Sequence, residues 1–274
     1  GLAPFGKDFG NPRQDGLFFQ IDEDREAYRK AKTSPAQPGS PAPCERLRIH
    51  CPAERERRAH QAILSWIDGT LTQEYPQLFP RLPLRPDGIR ERWRSLGLDI
   101  QEDLVAVQRT THGADAVIGV DVCFPSGWRP ERILGWDFQR IHHPVPNFAK
   151  GADTASSLAQ TMIERGPYVR FVWTLCADDS LDHHPEEGNR LPWNSHQGRG
   201  WLRVERQVTV PFPGVEAALF LIRTYLTPFE ALNPRQRTTL ASAIECMPTE
   251  VLRYKDLNRT AVLQALRSSS HEAS

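Results

Sequence analysis

No stretch of this chain approaches the roughly 18 apolar residues of a membrane-spanning helix, and no basic-then-apolar leader opens it. Neither a bilayer span nor a secretory route is therefore expected. Net charge is missing too: 34 Lys and Arg balance 34 Asp and Glu. That balance removes the basic face that nucleic-acid binding requires. The five cysteines, Cys44, Cys51, Cys123, Cys176 and Cys246, form no CxxC pair. An odd, scattered set reads as reduced thiols in a cytoplasmic protein. Absent as well are GxGxxG after a strand, GxxxxGK[ST], GxSxG, HExxH and HxE with PCxxC. Without a dinucleotide motif, any redox chemistry would have to draw its electrons from a partner chain.

What is present fits one large domain or two small ones, since 274 residues at 39% hydrophobic content can bury a sizeable core. The sequence divides into an N-terminal extension (1–50) carrying a Pro-rich linker at 33–43, a single domain over 51–267 and a disordered tail at 268–274. A helix is predicted from Pro52 to Ile67, with Ala59, Ile63, Trp66 and Ile67 on one face and Gly69 beyond its end. Asp99 and Glu102 have capping-box spacing, which predicts a short helix to about Val107. Alternating apolar residues from Ala116 to Phe124 predict a strand. A helix over 153–165 and strands over 168–176, 201–210 and 216–226 follow, the last two joined by a PFPG turn. Asn233-Pro234 with Gln236 starts a helix to about Cys246, and two short helices close the chain. Helices, then mostly antiparallel strands with an inserted helix, then helices again make an α+β fold.

Several residues stand out chemically. His142 and His143 precede Pro-Val-Pro, whose fixed φ angles brace the backbone. Such histidines are either ordinary loop residues or a ligand aimed by that brace. In an extended segment neighbours alternate sides, so at most one would face a given group. Arg206 lies within an otherwise apolar strand face, and Arg223 with Tyr225 repeats the pattern on the next strand. A buried guanidinium needs an anion, either an internal carboxylate or an anionic group of a ligand. His183-His184 beside Glu186 and Glu187 reads as a solvated polar loop within a long loop over 182–200. With His112 and Asp115 these residues could be imagined as a two-histidine, one-carboxylate iron site, but the strand-borne HxD is absent.

Taken together, "IQEDLVAV" (100–107), "VCFPSGW" (122–128), "IHHPVPNF" (141–148), "LRVERQVTVPFPGVEAALFLIRTYLTP" (202–228) and "PTEVLRYKDL" (248–257) resemble the haem-dependent oxidative N-demethylase alpha subunit, or dimethylamine monooxygenase subunit-like, family. The segments keep the family's order from about residue 98 to 257. The resemblance implies a PAS-like core and a haem b that activates O2 to oxidise a secondary or N-methyl amine, releasing formaldehyde. It also implies electrons from NADPH through a flavin and iron–sulfur reductase or ferredoxin-type partner. By motif position it makes His142 the axial iron ligand, with His143 as fallback. Arg206 becomes a propionate partner, and Trp173 joins the cofactor-binding set. Glu205, Arg223 and Tyr225 become the catalytic candidates, for O2-site electrostatics, amine binding or proton relay. Where the family reads RxNW, this chain has Val172 in place of Asn, which points to a different substrate. The alternative function is a haem-binding PAS-type gas sensor without turnover.

Overall fold

The computed structural model describes residues 2–11, 14–80, 88–146, 148, 152–186, 193 and 199–268. Its centre is a seven-stranded open sheet in the order β1-β5-β6-β7-β3-β4-β2, antiparallel throughout. The strands are β1 (Ala3–Pro4), β2 (Arg48–Ile49), β3 (Asp103–Arg109), β4 (Asp115–Asp121), β5 (Tyr168–Cys176), β6 (Trp201–Phe212) and β7 (Ala217–Pro228). The helices are α1 (Arg25–Thr33), α2 (Glu54–Glu74), α3 (Ile89–Asp99), α4 (Phe138–His142), α5 (Ala152–Glu164), α6 (Pro234–Glu245), α7 (Thr249–Tyr254) and α8 (Arg259–Ser268). This is the α+β arrangement with inserted helices.

One sheet face meets α2 and α3. Ala59, Ile63, Ile67 and Leu71 recur every four residues on α2 and are all but completely buried. They pack on Leu104, Ala106, Val208, Val210, Leu219 and Leu221 of the sheet. The helix runs past Ile67 and through Gly69 because Leu71 still has core to fill and Glu74 accepts the Phe18 and Phe19 N–H groups. Further along the same face, Trp173, Leu175 and Leu202 pack against the closing helices α6 to α8. The opposite face is covered by α4, α5 and the 122–136 segment. Between Ala106 and Val107 the β3–β4 register slips, and Ile118 is the extra residue. That bulge turns Ile118 toward α2 while Val117 and Val120 face the other way.

The predicted helix over 99–107 is a strand from Asp103 onward. Leu104 to Val107 pair on both sides, with β4 and β7, and are buried. The acids that mimicked a cap do other work. Glu102 accepts the Gln20 N–H at 2.7 Å, and Asp103 accepts the N–H groups of Cys123 and Phe124, each at 2.9 Å. The asparagine cap of α6 forms as expected, with reciprocal bonds between Asn233 and Gln236.

Asp121 and Asp103 are both buried near the buried Lys32, with Arg94 acting on Asp121 and the buried Arg203 on Asp103 from farther off. Burial raises Asp121 to about 7 and Asp103 to about 6, and it raises Glu74 to about 7. A carboxyl raised in the folded state keeps its proton after the unfolded chain has lost its own. The stability is therefore full below about pH 4 and is lost as pH rises toward 7. Asp121→Asn should remove the Asp121 share, up to about 4 kcal/mol by linkage over some three units. Urea unfolding of parent and variant at pH 4.5 and 7.5 checks this: the variant's advantage must grow with pH.

Candidate functional site

Successive residues of a strand point to opposite faces, and this decides which candidates can meet. Arg206 pairs across the sheet with Phe171 and Arg223, and Val204 with Trp173 and Tyr225. Arg206, Arg223, Tyr225 and Trp173 therefore share the face that carries α2 and the N-terminal segment. There Arg206 donates to the carbonyls of Leu17 and Phe18. Arg223 donates to the carbonyls of Gln20 and Thr224 and ion-pairs with Asp22 at 2.9 Å. Its guanidinium also stacks on Tyr28 at 3.9 Å and Tyr225 at 4.6 Å. Burial opposes the Arg223 charge, and Tyr28, Glu102 and Tyr225 outweigh that and raise its pKa. Burial lowers the pKa of Arg206 and raises that of Tyr225. Trp173 carries Lys255 over its ring at 5.5 Å, and Lys255 donates to its carbonyl. Both arginines are thus occupied by protein groups.

His142 lies on the other side of the sheet. It is the last residue of α4, and His143 is the C-cap, so the pair is separated by helical rotation and not by strand alternation. Pro144 and Pro146 follow where the helix has to stop. The His142 ring stacks on Phe148 at 4.7 Å and meets Phe138 at a tilt at 4.0 Å. Its Nδ1 lies 2.9 Å from the Phe138 carbonyl, which can only accept, so Nδ1 carries the proton and Nε2 keeps its lone pair. Burial lowers the His142 pKa, and the Arg170 charge lowers it further. A neutral imidazole with a free Nε2 is a metal-ligand tautomer. His143 is exposed.

Between α4, α5 and the sheet lies a small cavity of about 20 Å³, room for one water, lined by Phe138, Leu158, Met162, Phe220, Arg170, Gln207, Thr209 and Leu2. Gln207 accepts from Arg170 Nε at 2.7 Å and donates to Glu205 at 3.0 Å. Glu205 also meets Arg203 Nε at 3.6 Å, an ion contact too long for a hydrogen bond. Glu205 is the one catalytic candidate on the same sheet face as His142. Arg170, Gln207 and Thr209, which the sequence did not single out, complete this polar floor. Their signal was the cross-strand register, which sets Arg170 opposite Gln207.

A protein-family model described as haem-dependent oxidative N-demethylase, alpha subunit-like, matches residues 19–263. The chain belongs to that family. The match takes in both sheet faces, the N-terminal segment from Phe19 and helices α1 to α7. Within this family member, His183 and His184 are not solvated. His183 is buried against Asp178 (2.8 Å) and Cys176, and its backbone is bonded to Pro125 and Gly127. His184 is buried beside Glu131 at 3.2 Å, and Arg46 pairs with Asp182 beneath it. Donor atoms of Glu131, His184 and Glu186 lie within 4.8 Å of one another. Arg129 and Arg132 already neutralise Glu186, however, and the Glu186 N–H points at His184 Nδ1. Glu187 and the rest of the 187–198 stretch, Trp193 apart, lie outside the described residues, as does 269–274 of the tail.

Arg223→Met should destabilise the fold by about 3 kcal/mol or more, because it strands the carbonyls and the Asp22 carboxylate that the guanidinium serves. His143→Ala should change stability by less than about 0.5 kcal/mol. Thermal and urea unfolding of the two variants measure the contrast.

Proposed function

We propose that this chain is the haem-binding subunit of an oxidative N-demethylase, in which His142, through Nε2, would be the residue that holds a haem b. The observation that carries the reading is the His142 ring itself. Its Nδ1 proton is committed to the Phe138 carbonyl, its Nε2 is left as a donor, and it is flanked by aromatic rings beside a cavity. An imidazole among aromatic rings is the donor chemistry of a haem site, but His142 is not among the residues that line the cavity. The antiparallel sheet with inserted helices is compatible with a PAS-like core. Haem, when bound, would supply O2 activation.

The chain's own residues would supply the rest. Phe138 and Phe148 hold the imidazole plane, and α5 keeps water from that side of the sheet. The cavity, at about 20 Å³, holds one water and lies far below the roughly 300–1,000 Å³ of small-molecule sites, so a haem does not fit it as it stands. The overall reaction consumes an N-methyl amine, O2, NADPH and a proton. It yields the demethylated amine, formaldehyde, water and NADP+. The two electrons would reach this chain from a reductase or ferredoxin-type partner. Arg206 and Arg223, on the far face, would act by holding the N-terminal segment and not by touching a propionate.

Reconstitution with haem tests the ligand. The parent and His143→Ala should show a Soret band, and His142→Ala should lose it or bind haem at least tenfold more weakly. A colourless parent in excess haem overturns the proposal. Formaldehyde release from N-methyl amines with a chemical reductant separates catalysis from gas sensing, and its absence leaves the sensor.

A further inference from the structure

A larger opening lies between α3 and the turn at Pro43–Arg46. Its volume is about 240 Å³, and Cys44, Glu45, Leu47, Arg90, Glu91 and Arg94 line it. One water needs about 10–15 Å³ of such space, so this pocket has room for a small molecule. Arg90 and Arg94 stand four residues apart on α3, and one helical turn brings both guanidiniums to the same face. Arg90 spends Nη1 on the Leu47 carbonyl at 3.0 Å, and Arg94 Nη2 reaches the Cys44 thiol at 3.9 Å. Among the described residues neither guanidinium has a carboxylate within ion-pair distance. The two glutamates are turned to backbone instead. Glu45 accepts the Ala42 N–H at 2.9 Å, and the Glu91 carboxylate folds back over Gly88, where a Cβ would lie 1.9 Å from its Oε2. Cys44 is 5% exposed, and burial raises its pKa, so a neutral thiol joins Leu47 in the pocket wall. Two cations one turn apart, with most of their N–H groups unspent, match a doubly charged group with three oxygens. A carboxylate, with two oxygens and one charge, is satisfied by one planar fork and leaves the second arginine idle.

We infer that the pocket between α3 and the Pro43–Arg46 turn is a phosphate-binding site, with Arg90 and Arg94 as its anchors. The phosphate has two sources: the free ion, or a small monoester whose body lies on Leu47 and Cys44. No bond is made or broken at this site. It shares no residue with the haem reading and does not depend on it.

Calorimetric titration of the full-length chain at pH 7.5 and fixed ionic strength decides the matter, with inorganic phosphate, phenyl phosphate and benzoate as probes. The parent should bind phenyl phosphate at least about tenfold more tightly than benzoate. Arg90→Met and Arg94→Met should each weaken phenyl phosphate about tenfold or more, and Arg94→Lys should weaken it less, because the charge stays and the fork is lost. Glu91→Gln should tighten it by about two- to fivefold, because a negative charge leaves the pocket wall. Phenyl phosphate binding more tightly than inorganic phosphate assigns the ester, and equal affinities assign the free ion. Both arginines are exposed, so circular-dichroism melting should find the variants folded like the parent. A parent that binds neither phosphate probe, or binds benzoate as tightly as phenyl phosphate, overturns the inference. So does an Arg90→Met Arg94→Met double variant that keeps the parent's affinity.

Discussion

The pleat of β6 is the constraint on which the functional geometry rests. Its odd and even residues serve two different tasks on two faces of one sheet. Arg206, with Val208 and Val210 beyond it, anchors the N-terminal segment and the α2 core. Gln207 and Thr209 floor the cavity beside α5, and Glu205 accepts from Gln207 next to it. A slip of one residue would exchange the two sets and put a carboxylate into the core. The strand resists that slip because it is paired along its length on both sides, nine residues with β5 and twelve with β7.

Buried arginines join the long-range parts of the chain. Arg203 donates to the carbonyls of Leu181 and Phe124, Arg206 to Leu17 and Phe18, and Arg223 to Gln20. Each reaches loop backbone that no strand or helix bond satisfies, and the planar fork of five donors suits that purpose better than an ammonium point charge. Lys32, by contrast, sits where two buried carboxyls converge and donates to the Gly97 and Glu102 carbonyls. The guanidiniums that looked like ligand anchors in an apolar strand are thus structural ties. Neither a buried Arg nor its neighbours in sequence reveal which role applies, because the partner lies nearly two hundred residues away.

That distance also explains what the sequence could and could not disclose. Strands β5 to β7 and helices α5 and α6 were legible because their signals are local: period-two apolar residues, a PFPG join, an Asn cap with Gln three residues later. The segment at 99–107 misled because Asp99 and Glu102 have the spacing of a cap, while a strand paired on both sides shows no period. His183 and His184 looked solvated because Asp178, Glu131 and Asp182, which bury them, act through a loop fold with no repeat. In the candidate site, His142 was legible from the proline brace and the family motif. Arg170 was not, since an arginine on a half-exposed strand is ordinary until α5 roofs it.

The electrostatics of that roofed space are set by one cation, Arg170. The His142 imidazole nearby has its pKa lowered, first by burial and then by the Arg170 charge. Glu205, the nearest carboxylate across the floor, is turned to Gln207 and Arg203. Its β5 neighbour in register is Val172. The space beside Arg170 is about 20 Å³, room for one water and for no larger molecule. The guanidinium and the Thr209 hydroxyl, which has no protein partner among the described residues, therefore meet there over a water-sized gap, and the apolar side chains of Phe138, Met162 and Phe220 close the rest.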